Sequence, residues 1–187
     1  MRVEFIGPSD PGRAAAESHV RDVYREVYGA DLRSFAPLLV SAADASGRVL
    51  AAAGVRTAED GFFSGVYLDD PLETRLSALV ARPVAPGAIL EVVSLASVSP
   101  FPVLPLIDAI IGWGRARQME WGVFTATAPL RRLLRRAGMT HLELGAARPE
   151  RLPDPSVWGS YYASDPQVCA FSDLSAALIL SPRARAC

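Results

Sequence analysis

A chain of 187 residues has room for one domain with a sizeable core, since domains commonly run to about 100–200 residues, and the expected organisation is a single domain over residues 1–187 with a flexible tail of about eight C-terminal residues. Half the residues are hydrophobic and 21% charged, the balance of a folded protein, and a net charge of −1 gives no general attraction to nucleic acid, whose binding relies on phosphate neutralisation. The nineteen basic residues are all arginine and there is no asparagine, which excludes lysine Schiff-base chemistry and N-glycosylation, while two cysteines, Cys169 and Cys187, supply neither a disulfide framework nor a cysteine zinc site.

Arg2 to Ile6 alternates as a strand does, and Gly7-Pro8 breaks it. No long apolar core follows, so no signal peptide is expected, and no run of about 18 apolar residues predicts a membrane span. A cytoplasmic protein is the expectation. A helix is predicted over residues 12–28, with Val20, Val23, Tyr24, Val27 and Tyr28 as its buried stripe and Gly29 as its stop. Residues 37–42 and 49–56 flank the turn signal Asp44-Ala45-Ser46-Gly47 and predict a β-hairpin. Residues 62–68 read as a further strand or an irregular arm, and Pro71 opens a short helix reaching Ala81.

Residues 89–97 form a nearly continuous apolar run, the pattern of a strand covered on both faces, with Glu91 inside it. A carboxylate there must be paired, protonated or functional. After the proline-rich stretch from Ser99 to Pro105, Val103, Leu106, Ile107, Ile110 and Ile111 recur at helical spacing. Residues 121–127 predict the next strand, and Thr127 is placed to cap a helix with Leu130, Leu133 and Leu134 facing inward and Arg131, Arg132, Arg135 and Arg136 outward. Gly138 stops that helix. Residues 141–144 and 167–171 read as the last strands, separated by a polar, proline-marked loop.

This order of elements is that of the acetyltransferase-like α/β fold called GNAT, in which two central parallel strands splay apart and an acyl thioester lies in the gap. The motifs Tyr28-Gly29-Ala30, Phe35-Ala36-Pro37, Ala53-Gly54-Val55-Arg56, Val66-Tyr67-Leu68, Glu91-Val92-Val93-Ser94-Leu95-Ala96, Phe124-Thr125-Ala126-Thr127 and Trp158-Gly159-Ser160-Tyr161-Tyr162 together resemble the thermostable hemolysin family. The resemblance spans nearly the whole chain. That family in turn resembles GNAT proteins, particularly the acyl-homoserine-lactone synthases.

In position, Arg56 and Glu91 resemble the arginine and strand-borne glutamate of those synthases. Glu91 is then a candidate general base for an attacking amine, acting directly or through water, with Arg56 its electrostatic partner or a clamp for an acceptor carboxylate. The plainer reading is a buried ion pair that fixes strand register. The resemblance further implies a donor groove of Ser94, Ala96, Ser97, Ser99, Thr125 and Thr127, with local caps the plainer reading of Ser97 and Ser99, and an acceptor pocket of Tyr28, Phe35, Tyr67 and Trp158; Arg131 and its neighbouring arginines offer docking for a carrier's phosphate or a diphosphate, or else a solvated helix face. Tyr161 or Tyr162 stands in as the acid for the departing thiolate, because the helix after Thr127 lacks a tyrosine; packing is the alternative for these aromatics.

One departure matters. GNAT enzymes hold pyrophosphate on backbone N–H groups of the loop after the first splayed strand, and here Pro100 and Pro102 remove two of those donors. No tightly bound cofactor is expected; acyl-coenzyme A or an acyl-phosphopantetheine is the co-substrate. Expected partners are a small-molecule amine, an acyl carrier protein and a second copy in a homodimer, with no metal and no nucleic acid. His19 and His141 lack metal-ligand spacing, and Cys169 reads as a small buried residue. The leading function is thus acyl transfer from an activated donor to a small amine, the rival a non-catalytic binding module. Membrane lysis, which the family's name suggests, finds neither a secretion signal nor an exposed amphipathic membrane helix in the sequence.

Overall fold

The structure, a computed structural model, describes residues 1–172. The expected C-terminal tail and Cys187 lie outside the described residues. Strands β1 (Arg2–Ile6), β2 (Leu38–Ala43), β3 (Val49–Arg56), β4 (Ile89–Ser97), β5 (Trp121–Ala126), β6 (Leu142–Ala146) and β7 (Gln167–Ser172) form one sheet in the order β1-β2-β3-β4-β5-β7-β6. Among the described residues only β4 and β5 run parallel, joined by a crossover helix. Helices α1 (Arg13–Tyr28) and α2 (Leu72–Val80) cover one face, and α3 (Val103–Arg115) and α4 (Ala128–Arg136) the other. This is an α/β architecture with a mixed sheet, in the element order the sequence predicts.

Strand parity divides the core. Leu39 and Ala52 face α1, whose buried line is Ala16, Val20 and Tyr24, while Val40, Ala51 and Ala53 face Leu106 and Ile110 of α3. All five predicted apolar positions of α3 are buried. On α1 the stripe is narrower than the periodicity predicts: contact follows the i, i+4 line across the sheet, and Val27 is left 58% exposed. Gly29, at φ 67°, ends α1 as expected.

Of the two readings open for residues 62–68, a strand or an irregular arm, the arm is the one found: two short 3-10 turns, Ala58–Asp60 and Ser64–Tyr67, flank Gly61. Two other local expectations are corrected. Thr127 occupies the cap position of α4 with extended backbone but makes no side-chain cap bond; Pro129 removes one of the N–H groups a cap would accept. Arg131 does not face out: it is 7% exposed, with Nη2 bonding the Asp165 carboxylate at 2.6 Å and Nη1 donating to the Ala126 and Asp165 carbonyls. It thereby pins α4 to the chain entering β7.

Candidate functional site

The site arises where β4 and β5 part. Their parallel register runs from Ile89↔Trp121 to Val92↔Phe124 and stops, although β5 continues alongside β7 to Ala126. Just past that point β4 carries a bulge. Its pairing with β3 slips between Gly54↔Val93 and Ala52↔Ala96, and Ser94 takes φ 52°, a left-handed conformation unusual for a side-chain-bearing residue. The extra residue turns Ala96 onto the α1 face, where unbroken alternation would have placed it with Val92, and bends β4 away from β5. Gly54 opposite must lack a side chain, since a Cβ there would come within 2.7 Å of Val93 and Ala36.

Two clefts open at the parting, of about 660 and 470 Å³. They share Tyr24, Val92, Ser94, Thr125 and Tyr161, so they meet across the gap. The first lies on the α1 face, walled by Phe35, Tyr67 and Trp158 with Arg33 and Arg56 at its polar side. The second runs between α3 and α4, over Val103, Ile107 and Leu134, with Ser97, Thr127, Arg132 and Arg136 among its lining. Ser94 and Thr125, expected in a donor groove, stand at the junction. Tyr28 lines the second cleft rather than the first, whereas Phe35, Tyr67 and Trp158 all line the first.

Glu91 faces the same side of the sheet as Val123 and Thr125 but is fully buried and lines neither cleft. Its carboxylate accepts the N–H of Phe63 at 2.7 Å and that of Ser64 at 2.6 Å, so the arm of residues 58–67 wraps over it. Burial raises its pKa, opposed by the bonds from Ser64 and Phe63 and by the charge of Arg56. The ion pair with Arg56 does not form, although the two residues are register partners. Arg56 spends Nε on the Gly61 carbonyl and Nη2 on that of Asp60, each at 2.8 Å, and has no carboxylate partner among the described residues. Direct contact between Glu91 and an amine in the cleft is closed off.

Tyr161 lines both clefts and points its hydroxyl at the Thr125 carbonyl, 3.4 Å away; burial raises its pKa strongly. The Tyr162 hydroxyl is joined to that of Tyr67 at 2.7 Å and does not line a cleft. Ser97 bonds the Ser99 carbonyl at 2.6 Å, a local closure of the strand end; Ala96 is packed in the core beneath α1, and Arg131 is taken up by its ion pair. No group of three metal-ligating side chains occurs among the described residues. Cys169 is buried, which pushes its thiol up to about 12.

Sequence reading passed over two residues of this site. Tyr24 was assigned to core packing. Ser64 sits in the arm, 1% exposed, with its Oγ 2.9 Å from Thr125 Oγ1. The signal was present, since Gly61 and Gly65 on either side of Phe62-Phe63-Ser64 favour a turn that can aim its N–H groups inward.

A family model described as thermostable hemolysin matches residues 6–177. The chain belongs to the thermostable hemolysin family. No curated protein sequence matches it significantly. Among solved structures, TofI in a ternary complex with an inhibitor and MTA is 17% identical with a TM-score of 0.59, covering 96% of this chain and 95% of that one. The acyl-homoserine-lactone synthase LasI is 13% identical over 91% and 89% of the two chains, at 0.58. FeeM, an N-acyl amino acid synthase from uncultured soil microbes, is 14% identical over 92% and 95%, at 0.57. At such identities the likeness establishes the shared fold of this hemolysin-family chain. No helix among its described residues is long and apolar enough to cross a membrane.

Proposed function

We propose that this chain is an N-acyltransferase that moves an acyl group from a thioester donor to the amine of a small anionic metabolite. The observation that carries the reading is the meeting of two clefts at Ser94 and Thr125, where β4 and β5 separate. One cleft is apolar enough for an acyl-pantetheine arm, the other polar and aromatic enough for an acceptor. Holding donor and amine together at the junction supplies proximity and orientation for a transfer that needs no cofactor of its own.

Arg56 supports an acceptor bearing a carboxylate. Its guanidinium is fixed by two carbonyls, which orient it without neutralising it, and it borders the first cleft. The FeeM description, an N-acyl amino acid synthase, agrees with an acceptor of the amino-acid type. On the donor side, Pro100 and Pro102 leave the loop short of N–H groups for a diphosphate, so the pantetheine arm and acyl chain supply the binding, with Arg132 and Arg136 at the cleft for phosphate. Glu91 takes the amine proton from behind the cleft wall, and Tyr161, at the junction, is the candidate acid for the departing sulfur. The same prolines favour the second reading, a binding module without turnover.

The test offers the purified protein acetyl-, octanoyl- and dodecanoyl-coenzyme A, and the same chains on an acyl carrier protein, with a mixture of amino acids. Released thiol and acylated product are followed by absorbance and mass spectrometry. Amine-dependent thiol release is the expected result, and the donor that works identifies coenzyme A or the carrier as the source. Tight donor binding with no product from any combination would establish the binding module instead.

A further inference from the structure

At the junction of the clefts β5 has lost β4 as a neighbour, and Thr125 pairs only with Val168 of β7 on its other side. Its side chain is engaged all the same: Thr125 Oγ1 lies 2.9 Å from Ser64 Oγ of the arm, and Ser64 is 1% exposed. Ser64 is itself held in place. Its N–H goes to the Glu91 carboxylate at 2.6 Å, and that of Phe63 beside it at 2.7 Å. A threonine in a strand has few χ1 choices, and the bond to Ser64 selects among them. The hydroxyl is thus aimed before any substrate arrives, from a position that lines both clefts. Two hydroxyls carry two protons and need one for the bond between them, and either oxygen can donate it. A carbonyl oxygen brought to the junction removes that choice. Thr125 then spends its own proton on the carbonyl, and Ser64 supplies the one that joins the pair. In the run from Ser64 through Thr125 to the carbonyl, each hydrogen bond polarises the next.

We propose that Thr125 is a catalytic residue whose hydroxyl donates to the carbonyl oxygen of the thioester, and that Ser64 is the positioning residue that aims and polarises it. The inference rests on the acyl-transfer reading. As the neutral amine nitrogen forms the C–N bond, the carbonyl π pair moves to oxygen, and the charge that develops there meets a donor already in place. Collapse restores the carbonyl and breaks the C–S bond, with the electron pair leaving on sulfur. The nitrogen sheds one proton and the sulfur gains one, so amide and free thiol are formed. Both hydroxyls keep their own protons throughout: they stabilise charge and transfer none. Ser64 belongs to this step because an unsupported hydroxyl at the open end of β5 would turn freely between the clefts, whereas one bonded to a buried partner cannot.

The experiment reads the carbonyl itself. Acetyl, octanoyl and dodecanoyl thioesters, on coenzyme A and on an acyl carrier protein, are labelled with 13C at the carbonyl and bound without amine. Isotope-edited infrared difference spectra then give the C=O stretch on wild type, Ser64→Ala, Thr125→Val and Thr125→Ser. The expected result is a stretch below that of the free donor in wild type, raised in Thr125→Val, raised part of the way in Ser64→Ala and returned in Thr125→Ser. A role confined to packing would leave it unmoved. With the amino-acid mixture, kcat should fall about 100-fold or more in Thr125→Val and about fivefold in Ser64→Ala, with KM little changed and most of the rate regained in Thr125→Ser. Thr125→Val keeps the shape of the side chain and suits a strand, and circular dichroism checks its fold; should it not fold, the stretch in Ser64→Ala decides. A stretch unmoved by these changes, or wild-type kcat in folded Thr125→Val, would overturn the hydroxyl pair alone. A wild type that releases no thiol from any donor would overturn the acyl-transfer reading and this inference with it, whatever the spectra give.

Discussion

Glutamine at position 91 keeps the shape of glutamate but cannot keep its bonds. Both carboxylate oxygens accept buried N–H groups, from Phe63 at 2.7 Å and from Ser64 at 2.6 Å. However the amide of Glu91→Gln is turned, its NH2 meets one of those N–H groups, donor against donor. A buried donor left unpaired costs about 1–3 kcal/mol. The loss should stay below the roughly 3–5 kcal/mol of a broken buried ion pair, because Arg56 keeps its two carbonyls and no such pair exists to break. For a chain of this length, about 2–4 °C of Tm per kcal/mol translates the loss into a fall of roughly 2–12 °C. The pH dependence has a definite sign. Since the folded pKa of Glu91 lies above its ordinary value of 4.5, the stability it contributes is fully present below 4.5 and is lost as pH rises through the folded value. The glutamine variant has no such slope, so the gap between the two proteins should be widest in acid and narrow toward neutrality. Urea melts of both proteins across that range measure it. Equal stability at every pH would refute the account of Glu91 as the acceptor that holds the arm of residues 58–67.

Gly159 has the tightest surroundings of the described glycines, with φ 54° and an added Cβ only 2.0 Å from the Tyr28 carbonyl oxygen, so Gly159→Ala should cost roughly 3 kcal/mol in urea melts and shift Trp158 fluorescence. Arg131→Ala should lose about 1–3 kcal/mol for the unpaired Ala126 carbonyl. The same change should flatten the acid limb of stability, because Arg131 holds Asp165 below its ordinary value of 3.8, and the stability this gives is present above 3.8 and lost as pH falls through the folded value; melts in acid check it. Arg56→Ala should raise KM for a carboxylate-bearing amine about tenfold or more while changing KM for a neutral amine little, a comparison read by steady-state kinetics. Liposomes exposed to micromolar protein should retain their dye, and leakage that survives a heat-killed control would reverse that expectation.

The strands and the two large helices were legible because burial on two faces, or along one stripe, leaves a period in the sequence. Residues 89–97 and the α3 positions from Val103 to Ile111 came out as expected for that reason. Glu91 was conspicuous as a charge inside an apolar run, but its partners were not legible. They are backbone N–H groups, which carry no residue code, on an arm 27 and 28 positions away. Arginine periodicity likewise placed Arg131 among its exposed neighbours, because the carboxylate that draws it inward lies across a loop at Asp165. Long-range polar contacts leave no period, so Ser64 gave only the faint signal of its flanking glycines.

The sheet is not laid down in the order in which the chain is made. β6 precedes β7, yet β7 lies between β5 and β6 and is, among the described residues, the only strand β6 pairs with. On a ribosome adding roughly 5–20 residues per second, β6 therefore waits, unpaired, for the residues that follow it, and the outer edge of β5 stays open meanwhile. Thr125 and Ala126 have no ladder to β4; β7 alone holds that end of β5, through Val168 and Gln167. A nascent chain interrupted before β7 would thus lose the anchoring of two strands at once. The gap between β4 and β5 would be the last part of the molecule to acquire its shape, and the interval before it does is when an uncovered strand edge most invites pairing with another chain.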